Sequence, residues 1–114
     1  MELDDRRGSE RFATLNFVHY VLDGCSEGDI EDMGRTIDAS ERGLLIQTSD
    51  PLPVGQRVSL SIGLGDNIAD LSGEIVHCVD DEDGLCRSGI EFDPLDAQQL
   101  SKLRTYLAAF AASR

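Results

Sequence analysis

Between residues 57 and 64 apolar and polar positions alternate without a break: Val58, Leu60, Ile62 and Leu64 against Arg57, Ser59, Ser61 and Gly63. Successive side chains of a strand point to opposite faces, so this period of two predicts a strand with one buried and one wet face. A second alternating run sets Leu71, Gly73, Ile75, His77 and Val79 against Ser72, Glu74, Val76 and Cys78, after the turn residues Gly65-Asp66-Asn67. A third runs from Leu85 to Phe92, with Cys86, Ser88, Ile90 and Phe92 on one parity. The acidic stretch Asp80-Asp81-Glu82-Asp83-Gly84 joins these two as a hairpin. Upstream, Phe12–Leu22 is rich in β-branched and aromatic residues and predicts a strand despite imperfect alternation; Ile30–Ile37 predicts another after the turn-forming residues 23–29. Gly43 opens the short apolar run Leu44–Thr48, which ends at a loop stiffened by Pro51 and Pro53. Six short strands divided by turn residues predict a mostly β protein, an antiparallel sandwich or barrel.

The period changes at the C-terminus. Leu100, Leu103, Leu107 and Phe110 recur at helical spacing. Asp96 is placed as N-cap with Gln99 answering it in a capping box, and Leu95 and Leu100 are placed for a hydrophobic staple. The apolar stripe of this helix must cover something: one end of the barrel, or a partner helix. Residues 1–10 are polar with no apolar period and read as a flexible arm, leaving 11–114 as the folded domain.

At 114 residues the chain is long enough for one core. Its 22 acidic against 10 basic residues, a formal net charge of −12, exclude the broad positive potential that DNA, RNA or an anionic membrane surface would demand. No apolar run is long enough to span a bilayer, and Met-Glu-Leu-Asp-Asp has the wrong charge for a signal peptide. Cys25, Cys78 and Cys86 are odd in number and lack Cys-x-x-Cys spacing, so reduced thiols in a cytoplasmic protein are expected.

Against that negative background, Arg6, Arg7 and Arg11 concentrate three guanidinium groups within six residues. Arginine grips phosphate oxygens with two parallel hydrogen bonds, fits the O6/N7 edge of guanine and stacks on a purine face. A second stretch, Asp38-Ala39-Ser40-Glu41-Arg42-Gly43, lies where one strand hands over to the next. Asp38 offers acceptors suited to the N1–H and N2–H₂ donors of guanine. Ser40 offers a short donor/acceptor, and Gly43 permits positive φ or a close backbone approach. Read separately, the first is a solvated arginine cluster and the second a turn.

Together, Arg7-x-x-x-Arg11 followed by Asp38-x-Ser40-x-x-Gly43 resembles both signature elements of the PilZ domain family. The resemblance continues through Gly89-Ile90-Glu91-Phe92 and the helix beyond it. It implies a six-stranded β-barrel that binds the bacterial second messenger cyclic di-GMP. In that analogy Arg7 and Arg11 grip guanine and phosphate, Asp38 and Ser40 hold guanine from the barrel surface, and Gly43 keeps the backbone close. Arg6, just before the first signature arginine, resembles members that take a stacked pair of ligand molecules. The expected function is non-enzymatic: ligand binding orders the arm and signals in trans to a partner protein. The rival expectation is a PilZ-like adaptor that does not bind the nucleotide.

Other signals point to no site. His19 and His77 have no third ligand at metal spacing, and the acidic run 80–83 lacks the order of a calcium loop. No nucleophilic triad or phosphate-cradling P-loop can be read, and no cofactor is expected.

Overall fold

The computed structural model describes residues 17–23, 30–64 and 67–112. Residues 12–16 of the expected Phe12–Leu22 strand, the arm 1–10, and Arg6, Arg7 and Arg11 lie outside the described residues. Six strands follow in chain order: β1 (Phe17–Leu22), β2 (Ile30–Ala39), β3 (Gly43–Thr48), β4 (Arg57–Leu64), β5 (Asn67–Asp80) and β6 (Cys86–Phe92). One turn of 3₁₀-helix (Glu82–Gly84) sits between β5 and β6, and helix α1 (Ala97–Ala112) follows. All neighbouring strands are antiparallel, and the order β1-β2-β3-β6-β5-β4 closes on itself as a barrel. Closure leaves no unpaired edge.

The alternation read in the sequence is what fills this barrel. Val18, Tyr20 and Leu22 of β1, Val58, Leu60 and Ile62 of β4, and Leu71 and Ile75 of β5 are all buried. The apolar run of β3 also proves to alternate: Leu44 and Ile46 point inward, while Leu45 is only half-buried and turns outward.

In two strands the pattern departs from the simple period, and both departures are bulges. In β2 the pairing with β3 steps from Thr36↔Ile46 to Asp38↔Leu45, so Ile37 is an extra residue. In β5 the pairing with β6 steps from Ile75↔Ile90 to His77↔Gly89, making Val76 the extra one. One extra residue inverts the facing of everything after it. His77 and Val79, which the sequence pattern places on the face of Leu71 and Ile75, are therefore exposed, and Cys78 turns toward the interior instead. The expectation for those positions is corrected, because parity carries no record of a bulge.

The helix packs on the barrel. Leu103, Tyr106 and Phe110 are buried in the same core as the strands, and the rings of Tyr106 and Phe110 stack with centroids 5.9 Å apart. They plug the end where β2 meets β3 and where β4 meets β5. Tyr106 was not part of the anticipated stripe, yet it is fully buried, whereas Leu100 and Leu107 are partly so. Its hydroxyl reaches Thr36 Oγ1 at 3.1 Å, which satisfies both polar groups in the core. The capping box forms as expected: Gln99 N donates to Asp96 Oδ1 at 2.7 Å, and Asp96 N to Gln99 Oε1 at 3.0 Å.

Candidate functional site

The Ile37 bulge decides where Asp38 points. Gly34 and Thr36 face inward, and unbroken alternation would send Asp38 after them into an apolar barrel, where a carboxylate is costly. With the extra residue inserted, Asp38 is exposed on the outer wall. The Val76 bulge does the same for His77 three strands further round the barrel. The register then aligns Asp38, Leu45, Gly89 and His77 in one row across β2, β3, β6 and β5. These four residues lie along an open cleft of about 350 Å³ that also takes in Ser40, Arg42, Gly43, Val76 and Glu91.

A tight turn sets one lip of the cleft. Ser40 N donates to Gly43 O at 2.9 Å, and Ser40 Oγ accepts from Arg42 N at 3.1 Å and Gly43 N at 3.3 Å. The serine hydroxyl thus binds the turn's own backbone. Asp38 Oδ1 accepts from Ala39 N at 2.9 Å. Arg42 O accepts from Phe92 N at 2.8 Å, clamping the turn to the end of β6.

Gly43 is required for space and not for a left-handed backbone. Among the described residues the positive φ values belong to Gly55, Gly84 and Asp83. A Cβ on Gly43 would run into the Ile90 carbonyl group of the neighbouring strand, its carbon being 3.1 Å away. Of the two reasons a glycine there can have, close approach is the one that applies.

The described side chains of the cleft bring two carboxylates, Asp38 and Glu91, against one guanidinium, Arg42. On its own this wall favours hydrogen-bond donors over anions. His77, Leu45, Arg42 and Glu91 were missed as site residues. Two of them carried a readable signal: Leu45 is an apolar residue at an outward position, and His77 is a polar residue at a nominally inward one. Each suggests a local rule broken for a reason.

Two further features bear on chemistry. Cys78 lies opposite Ser88 and Cys86 opposite Asp80, both thiols are free, and burial, with Cys78 second, pushes the Cys86 thiol above its ordinary range. That suppresses the thiolate and its reactivity. On the opposite wall Phe17, Met33 and Ile68 remain about half exposed around a groove of about 270 Å³ beside His19. Among the described residues no group of three His, Cys, Asp or Glu could hold a metal ion. Among them, too, no helix is long and apolar enough to cross a membrane.

Comparison with known proteins bears on the family and the fold. The sequence model of the PilZ domain matches residues 5–109. The fold is similar to the crystal structure of the PilZ domain of CeSA from a cellulose-synthesizing bacterium, with a TM-score of 0.61 at 20% identity, covering 83% of this chain and 91% of that one. No curated protein sequence matches.

Proposed function

The chain belongs to the PilZ domain family, and from that premise we propose that it is a receptor for cyclic di-GMP that reads the nucleotide at the Asp38–Gly89–His77 cleft. The observation that carries this reading is the outward turn of Asp38 at the lip of that cleft, beside the Ser40–Gly43 turn. A guanine edge offers two donors to a carboxylate, and Asp38 is an acceptor placed on an accessible wall.

The phosphates need a different source of charge, because the cleft wall is itself acidic. Arg6, Arg7 and Arg11 supply it. Phe17 pairs with Arg35, and β2 runs on from there to Asp38, so the chain enters β1 at the barrel end that carries the cleft lip. Five residues lie between Arg11 and Phe17, a stretch that spans up to about 20 Å when extended. Binding closes the arginine segment over the wall, with Arg7 and Arg11 on guanine and phosphate and Arg6 admitting a second, stacked nucleotide. The closed surface is then read by a partner protein, without catalysis.

Isothermal titration with cyclic di-GMP tests this. The expected result is saturable binding by the natural chain, weakened at least tenfold in Arg7→Ala and in Asp38→Ala, and a stoichiometry that drops from two to one in Arg6→Leu. Absence of heat at moderate salt ends the receptor reading, and equal affinity in the natural chain, Arg7→Ala and Asp38→Ala ends the site assignment.

A second reading, an adaptor acting without nucleotide, is favoured by the half-exposed Phe17, Met33 and Ile68 on the opposite wall. It predicts nucleotide-independent capture of a partner that is lost in Met33→Glu.

A further inference from the structure

Helix α1 bonds to Thr36 on the strand that carries Asp38 and to Glu41 in the turn after that strand, and these two points bracket the ligand-facing residues. Before the bulge, Tyr106 Oη lies 3.1 Å from Thr36 Oγ1 in the buried core. After it, Arg104 Nε donates to Glu41 Oε2 at 3.0 Å, with Nη2 at 3.5 Å from Oε1. Between Thr36 and Glu41 lie only Ile37, Asp38, Ala39 and Ser40. Residues two apart on a helix point to different sides of it. Tyr106 therefore reaches into the barrel while Arg104 reaches over its rim, and the helix straddles the segment.

We propose that Arg104 and Tyr106 are positioning residues of the nucleotide site and that, through them, ligand occupancy tightens the C-terminal helix on the barrel. The proposal rests on the receptor reading above. A bulge leaves a strand locally without part of its ladder, so the geometry of residues 37–40 is sensitive to what holds the residues on either side of them. The helix holds both flanks, Thr36 by a buried polar contact and Glu41 by an exposed ionic one. Linkage makes the effect reciprocal: if a docked helix favours the binding geometry of Asp38, then a bound nucleotide favours the docked helix by the same factor. The apolar face at stake is Leu103, Tyr106 and Phe110, which is withheld from a partner while the helix is docked.

The test combines calorimetry with hydrogen exchange on the full chain, using cyclic di-GMP as probe. In the natural chain, exchange of amides 97–112 should slow about threefold to tenfold at saturation. Tyr106→Phe and Arg104→Gln, neither of which removes a group lining the cleft, should each weaken binding threefold to tenfold and shrink that protection. Arg104→Lys, which keeps the charge, should recover much of the loss. A purely structural role would instead raise exchange equally with and without ligand. If the natural chain binds the nucleotide, yet helix exchange is indifferent to it and both variants bind within twofold, the coupling is wrong and the receptor reading stands. If the natural chain gives no binding heat, the receptor reading falls and the coupling with it.

Discussion

The imidazole of His77 lies against the Cα of Gly89, directly across the β5–β6 pair. A Cβ on Gly89 would sit 2.6 Å from His77 Cδ2 and 2.7 Å from Cε1, and closer still to Nε2. The glycine is the seat that lets the ring lie along the floor of the cleft.

Gly89→Ala and Gly43→Ala should therefore separate. At Gly89 the obstacle is the end of an exposed side chain that can swing aside, so the stability cost should stay below about 1 kcal/mol while nucleotide affinity changes. At Gly43 the obstacle is the Ile90 backbone, which cannot move without opening the β3–β6 ladder. There the cost should be about 2–3 kcal/mol. Urea melts with parallel titrations check both. Equal stability loss in the two variants contradicts the assignment of which neighbour yields.

Ser88 is fully buried, and its hydroxyl has no hydrogen-bond partner among the described residues. An unmade hydrogen bond in the interior costs about 1–3 kcal/mol. Ser88→Ala should consequently be neutral or stabilising by about 1 kcal/mol, in contrast to most core substitutions. A denaturation midpoint that falls clearly below that of the natural chain means the hydroxyl is satisfied in solution.

Tyr106→Phe should cost about 1–2 kcal/mol, because it strands Thr36 Oγ1 in the core without its partner from the helix. Replacing Thr36 with Val in the same background should recover part of that loss, since both polar groups are then gone. If the double variant is no more stable than Tyr106→Phe alone, the pair does not act as a unit.

Stability should fall at both extremes of pH for separate reasons. Burial first, then Asp32 and Asp50, pushes Tyr20 from 10.0 up to about 12, and burial raises Tyr106 as well. Between pH 10 and 12 the unfolded chain gives up the Tyr20 proton before the folded one does, so stability present below pH 10 is lost as pH rises through that window. Tyr20→Phe should flatten the alkaline limb. At the acid end, Gln47 first, then the Glu82 backbone and Arg87, hold the Asp81 carboxyl below its ordinary 3.8. Its contribution is present above pH 3.8 and is lost as pH falls through the lowered folded-state value. Asp81→Asn should flatten that limb in thermal melts across pH.

Much of the architecture was legible because strand and helix periods are local. Val58, Leu60 and Ile62 betray an inward face through their immediate neighbours, and Asp96 and Gln99 announce a helix start within four residues. The spans differ modestly: β5 begins at Asn67 rather than Leu71, β2 runs on to Ala39, and β6 begins at Cys86 rather than Leu85. Strand ends depend on where the partner strand stops, which no local pattern encodes.

The sequence by itself determined that six short strands and an amphipathic helix would form, and that Asp38, Ser40 and Gly43 stand together in the family's spacing. Tertiary structure alone decided which way Asp38 and His77 face, since each depends on one extra residue relative to a strand far away in the chain. It also decided that Tyr106, and not only the leucines of α1, closes the barrel. The Tyr106 hydroxyl meets Thr36 in the core, as a buried tyrosine hydroxyl usually finds a partner, and that meeting is made by packing across seventy residues.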